Sequence, residues 1–254
     1  MPISLLADDE PPAVTETRRD GRSDFVILVD HASRLIPRSL GTLGLSESDL
    51  ARHIAWDIGS LAVARLVSEA LDATLIHQNY SRLVIDCNRD PMTATSIPEI
   101  GETTPIPGNL CLRQSERQPR IDAIFTPYHQ RIAALLDERE RQGRRTILIA
   151  QHTMTDLFKG ERRAMQSAVM YNRDPRFARR LRQALADETG LTVADNQPYA
   201  MTDATDYTLP LHGEKRGLPH VGLEVRQDLV ADEAGQAEWA ARIAAALETA
   251  RREF

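Results

Sequence analysis

The chain has 254 residues, 42% of them hydrophobic and 27% charged, enough for a sizeable core in a globular protein of ordinary composition. Its formal net charge of −6 argues against a general nucleic-acid binder, which needs a basic surface, and no apolar run approaches the roughly 20 residues that span a bilayer. Residues 1–24 lack the basic start and apolar stretch of a secretory signal, and Cys87 and Cys111 are too few for a disulfide scaffold, so a cytoplasmic protein with reduced thiols is expected.

Residues 1–22 carry no periodicity and read as an extended N-terminal arm, ahead of a single α/β domain over residues 23–254. Phe25 to Val29 is a continuous apolar run, the mark of a strand buried on both faces, and it ends in Asp30-His31-Ala32-Ser33. Ser46 to Ala70 is helical in pattern, with Ser46 and Asp49 as a capping box and His53 and Asp57 four apart on one face. Trp56-Asp57-Ile58-Gly59 is the place where that helix would break. Thr74 to Ile76 predicts a short strand, and Leu83-Val84-Ile85 predicts another, bracketed by Arg82, Asp86, Asn88 and Arg89 and stopped by Pro91.

Residues 92–119 hold four prolines and two glycines and predict a long loop, of the kind that carries function or closes over a site. Ile121 to Gln142 is a helix by its spacing of Ile124, Tyr128, Ile132 and Leu135, ended by Gly143. Thr146 to Ala150 is a second buried strand, finishing in Gln151-His152-Thr153, so two apolar strands end in a histidine. Ala168 to Met170 is a further strand, Pro175 to Glu188 a basic amphipathic helix, and Asp195 to Tyr199 a turn-rich loop. Tyr207 to His212 reads as extended, His220 to Arg226 as a strand carrying Glu224 and Arg226, and residues 232–250 as an alanine-rich closing helix. Strands alternating with helices point to an α/β fold with a mainly parallel sheet.

Asp30-His31-Ala32-Ser33, His53 to Gly59, Ser81 to Arg89 and Gly217 to Asp228 occur in this order. Together they resemble the N-formylglutamate amidohydrolase family, over about residues 24–248. The resemblance implies a three-layer α/β sandwich around a mainly parallel mixed sheet, of the zinc-carboxypeptidase-like (phosphorylase/hydrolase-like) class. It implies a Zn2+-dependent amidohydrolase of an N-acyl acidic amino acid, N-formyl-L-glutamate first, yielding formate and glutamate in histidine breakdown. Its partner would be a small acidic substrate, with no nucleic acid or membrane; the oligomeric state stays open.

On that resemblance His31 and His152 are the first metal ligands, with Asp57 or Asp86 as the third and Asp57 preferred. Arg34 stands where the related enzymes carry the Glu of a His-x-x-Glu pair. Glu224 is the candidate general base, the alternative being a salt bridge to Arg226 or Arg82. Arg82 would stabilise the oxyanion, Asn88 and Arg89 would clamp a substrate carboxylate, and Asp86 would hold an arginine. Arg226, Arg216 and His212 are further substrate-side candidates, and His53 could orient a ligand. The chain departs from the family at Arg34 and at His152-Thr-Met-Thr-Asp156, which leaves open another N-acyl amino acid or small amide, or a non-catalytic binder of an acidic metabolite.

Overall fold

The computed structural model describes residues 5–187, 190–252 and 254. Seven strands form one sheet: β1 Val14–Thr17, β2 Phe25–Val29, β3 Thr74–Gln78, β4 Ile147–Met154, β5 Ser167–Met170, β6 Val193–Asp195 and β7 His220–Arg226. Their order is β1-β3-β2-β4-β7-β5-β6. The central four, β3, β2, β4 and β7, run parallel, and β5 and β6 run parallel to each other but against β7. Val14–Thr17, inside the stretch expected to be an arm, pairs antiparallel with β3 at the sheet edge.

Side chains alternate across a strand, so each apolar run supplies both faces. Phe25, Ile27 and Val29 of β2 pack with Val221, Leu223 and Val225 of β7 under helices α1 (Ser60–Leu71), α3 (Arg176–Ala186) and α4 (Glu233–Arg252). Val26 and Leu28 face the other way, joining Leu148, Ala150 and Met170 against Tyr128, Ile132 and Leu135 of α2 (Thr126–Arg141). Helices thus cover both faces, giving the three-layer mixed α/β sandwich that the sequence predicts. Among the described residues no helix is long and apolar enough to cross a membrane.

Several local expectations are corrected. Leu83-Val84-Ile85 is not a strand but a buried turn: Val84 N–H bonds Ser81 O at 2.9 Å, and the carbonyls of Leu83 and Val84 accept from Asn109 Nδ2 (2.8 Å) and Arg120 Nη1 (3.1 Å). The apolar run encoded burial, worth roughly 1.5–3 kcal/mol per large side chain, and side-chain donors replaced the sheet ladder. The helix over 46–70 breaks, as expected at Trp56 to Gly59 but already from Ala51, into one turn, Glu47–Leu50, and α1, with Gly59 at φ 79° before Ser60. His53 and Asp57 therefore share no helix face.

Tyr207 to His212 is a short helix, Thr208–His212, rather than extended chain. The helix predicted from Ile121 begins earlier, at Gln114, and passes through a wide turn over Ile121–Phe125 before α2. The strand predicted over Thr146 to Ala150 continues to Met154, so His152 lies within β4, not beyond it. Glu188, the expected end of the basic helix, lies outside the described residues. The segment 92–119 packs on the body through buried Ile97, Ile106 and Asn109, and none of its residues lines the main cavity described next.

Candidate active site

Sheet register assembles the site before any loop is considered. In the parallel pair β4/β7, Glu224 lies opposite His152, both on the α2 face of the sheet, and Gly222 opposite Ala150 leaves the floor low beside Met170. A Cβ on Gly222 would meet Met170 Cβ and Met201 Cε at 3.1 Å. Leu28 of β2 pairs with Ala150, and two residues further along both chains Asp30 comes alongside His152. His31 follows on the loop after β2, and its carbonyl accepts from Asp57 N–H at 2.9 Å, which ties the chain ahead of α1 to that strand end. His31, Asp57, His152, Gly222 and Glu224 line a cavity of about 540 Å³.

At its base His31, Asp57 and His152 bring one ligand atom each to within 4.8 Å of one another, all three buried. Asp57 Oδ2 is the hub, 2.9 Å from His152 Nδ1 and 3.4 Å from His31 Nδ1. The far nitrogens are held by two further aspartates: His31 Nε2 is 2.7 Å from Asp86 Oδ1 and His152 Nε2 is 3.4 Å from Asp30 Oδ2. A carboxylate beside Nε2 favours a proton there and leaves Nδ1, which faces Asp57, as the nitrogen that would bind a metal on losing its own proton, the arrangement that metal-binding histidines use. Two imidazoles and one carboxylate form a donor set that could hold a metal ion.

The electrostatics follow from this packing. Burial opposes charge throughout, yet Asp57 stays well below the usual carboxylate range because the two imidazoles face it. Burial and Arg82 oppose protonation of His31, but Asp86 and Asp57 outweigh them, and Asp30 and Asp57 hold His152 well above its ordinary value. Asp86 is held low by Arg82, which donates from Nε at 3.1 Å and Nη2 at 2.6 Å, while Arg82 Nη1 lies 3.5 Å from Asp57 Oδ1. Glu224 behaves oppositely: burial pushes its carboxyl up, against the pull of His152. Its Oε1 accepts from Tyr199 OH at 3.1 Å, and its buried Oε2 has no hydrogen-bond partner among the described residues.

Of the candidates on the substrate side, Arg82, Asn88 and Arg89 line the cavity. Asn88 is engaged at both ends of its amide, donating to Asp206 Oδ1 (2.9 Å) and accepting from the N–H groups of Tyr207 (2.9 Å) and Thr208 (3.0 Å). Arg89 Nη1 donates to the carbonyls of Asn88 and Thr205. His53 lines the cavity and lies 3.6 Å from Glu102, not against a ligand.

Three candidates lie elsewhere. Arg226 is paired with Asp228 at 2.7 Å and donates to Arg163 O, outside the cavity lining. Arg216 pairs with Asp137 at 2.6 Å, and His212 stacks on His129 with Nε2 3.0 Å from its Nδ1; both border a separate cleft against α2. The short helix at 208–212 turns His212 that way, where burial pushes it down to about 3. Of the departures from the family pattern, Met154 lines the cavity, whereas Arg34 borders another surface cleft and Asp156 pairs with Arg162.

The structure adds residues that the sequence did not single out. Asp30 receives Tyr128 OH and Thr208 Oγ1 at 2.8 Å each and turns its other oxygen to His152. Its signal was the acid directly before His31 at a strand end. Tyr199 and Arg163 come from turn-rich segments, where no periodicity points inward.

Comparison with known proteins agrees with this geometry. Residues 23–231 match the profile of a family described as N-formylglutamate amidohydrolase. A gene product of Agrobacterium tumefaciens has a similar structure, with 37% identity, a TM-score of 0.95 and coverage of 98% of both chains. An N-formylglutamate amidohydrolase from Ralstonia eutropha JMP134 shares the fold at 20% identity and a TM-score of 0.70, over 96% of this chain and 100% of that one. No curated protein matches the sequence.

Proposed function

The chain belongs to the N-formylglutamate amidohydrolase family, and from that membership we propose a zinc-dependent amidohydrolase of N-acyl acidic amino acids, N-formyl-L-glutamate first, yielding formate and L-glutamate. One observation carries this reading. Asp57 Oδ2 is flanked by two imidazoles whose far nitrogens are held by Asp30 and Asp86, and Glu224 faces the same cavity with an uncommitted oxygen. A pure binder of an acidic metabolite has no use for a buried carboxyl with raised pKa beside such a donor set.

His31, His152 and Asp57 would hold the zinc, through the two Nδ1 atoms and a carboxylate oxygen. The chemistry that zinc supplies when bound is Lewis acidity toward the amide carbonyl and water. Glu224 Oε2 accepts a proton from the attacking water as the new C–O bond forms, then returns it to the nitrogen as the C–N bond breaks. Tyr199 holds the other oxygen of that carboxyl, so Glu224 keeps one orientation through both transfers. Arg82 is braced by Asp86 through Nε and Nη2, and Nη1, 3.5 Å from Asp57 Oδ1, would turn an N–H to the developing oxyanion. Arg89 holds the α-carboxylate, and Asn88 positions Arg89 by locking the 205–208 backbone instead of touching substrate.

Formate release from N-formyl-L-glutamate tests the proposal, with purified protein as isolated, after chelation and after zinc is restored. Zinc-dependent release is the expected result. Protein that holds one zinc yet releases no formate would overturn the substrate, and folded protein that takes up no zinc would overturn the reaction class.

A further inference from the structure

Three guanidinium groups line the cavity, and they differ in what neutralises them. Arg82 is compensated by Asp86 and Asp57. Arg89 and Arg163 have only carbonyl partners: Arg89 those of Asn88 and Thr205, Arg163 that of Thr155 at 3.3 Å. Neither has a carboxylate within ion-pair distance among the described residues. The remaining acids do not supply one: Asp206 is taken by Asn88 and Thr205, Glu161 is exposed, and Glu224 feels the Arg163 charge but forms no ion pair with it. A half-buried cation without a counter-ion is costly unless a ligand provides the charge.

The two arginines without an ion pair come from different segments of the lining. Arg89 is fastened to the segment at Thr205. Arg163 rises from the hairpin formed by Leu157–Phe158 and Glu161–Arg162, and its charge reaches Glu224, whose ionised form it favours. Its mount is firm. The Arg163 N–H bonds Asp156 O at 2.8 Å, its guanidinium lies 5.3 Å over the Phe158 ring, and its carbonyl accepts from Arg226 Nη1 at 3.1 Å. Arg226 is itself ion-paired with Asp228, and the hairpin tip is held where Lys159 N–H meets Glu102 Oε1 at 3.1 Å.

We infer that Arg163 is the residue that selects substrates with a second carboxylate, opposite the first carboxylate on Arg89, and that Arg226 is its positioning residue. The inference rests on reading the cavity as an N-acyl amino acid site. A bidentate arginine–carboxylate contact discriminates strongly against an isosteric amide, which presents donors to a group that has only donors.

The test compares kcat/KM for N-formyl-L-glutamate with that for its neutral isostere N-formyl-L-glutamine. In Arg163→Ala the acid-to-amide ratio should fall about 10- to 100-fold, the range of one charged hydrogen-bonded contact. Arg163→Lys should keep part of the ratio, Arg226→Ala should lower it less than Arg163→Ala, and Arg89→Ala should lower both rates while leaving the ratio. An unchanged ratio in Arg163→Ala overturns the inference. Calorimetric binding of glutarate against its mono-amide, glutaramate, reads the same contact without turnover. If the protein hydrolyses neither substrate, loss of the glutarate advantage in Arg163→Ala still supports the selector and places the failure in the reaction. Equal binding of the two ligands to the wild type overturns the selector alone.

Discussion

Replacing Asp86 with asparagine separates the two duties that the structure assigns to one carboxylate. Asp86 is 3% exposed and receives His31 Nε2 (2.7 Å) and Asn88 N–H (2.9 Å) on Oδ1, and Arg82 Nε and Nη2 (3.1 and 2.6 Å) on Oδ2. Both oxygens face donors only, so the amide nitrogen of asparagine must meet a donor whichever way the group turns. Being neutral in either orientation, asparagine also removes the buried ion pair with Arg82. Such losses cost about 3–5 kcal/mol, and the low end applies because the Arg82 side chain is 24% exposed and keeps Asp57 at 3.5 Å. Loss of the anion behind His31 should also weaken metal binding about 10- to 100-fold, as for other partners of ligating histidines. Denaturant unfolding of the metal-free protein measures the first effect, and competition with a chromophoric chelator measures the second. Metal affinity within about twofold of wild type, alongside lost stability, would refute the claim that Asp86 orients His31 and leave it as an anchor for Arg82.

Glu224→Gln should lower kcat by about 10²- to 10⁴-fold while metal binding persists, since only the proton relay is removed; near-normal turnover would refute the base assignment. The raised pKa of Glu224 fixes the sign of its pH effects. In the wild type kcat/KM should fall on the acid side as pH drops through that value, at a pH above the ordinary glutamate range, and a limb within the ordinary range would count against burial as its cause. The same shift means that ionised Glu224 opposes folding at neutral pH, its favourable contribution being present below the ordinary pKa and lost as pH rises. Metal-free Glu224→Gln should therefore melt higher than wild type, and a lower melting temperature would contradict this. Gly59→Ala forces a Cβ to 2.4 Å from Val230 O at φ 79° and should cost at least about 1–2 kcal/mol in denaturant unfolding; an unchanged midpoint would remove Gly59 as the break ahead of α1.

What could be read from the residues were the parts with a short-range signature. The runs Phe25 to Val29 and Ile147 to Ala150 announced strands because burial on both faces demands continuous apolar sequence. His31 was legible because a polar side chain closing such a run sits at the end of a strand, and His152 because it follows an apolar run, although β4 continues through it to Met154. Leu83-Val84-Ile85 misled because an apolar triplet signals burial without saying what satisfies its backbone, and the satisfying groups, Asn109 and Arg120, are 26 and 36 residues away. Asp30 and Asp86 looked alike in sequence as acids near apolar runs, and only folding shows that each stands behind one histidine. Arg226 was legible as an important cation but not for its target. Its partner, Arg163 O, is fixed by a hairpin that leaves no periodic trace.

The pairing of His152 with Glu224 across β4 and β7 bears on how such a protein can diverge. Side-chain direction alternates along a strand, so an insertion or deletion of one residue ahead of Glu224 in β7 would swing it to the opposite face, among the helices α1, α3 and α4, and one ahead of His152 in β4 would do the same to the histidine. No partial loss lies between those two states. Lineages can therefore change length freely in the hairpin that carries Arg163 and in the segment around Thr205, but not in the two strands beneath. Diversification of substrate would leave its record in loop lengths, while the strands kept theirs unchanged.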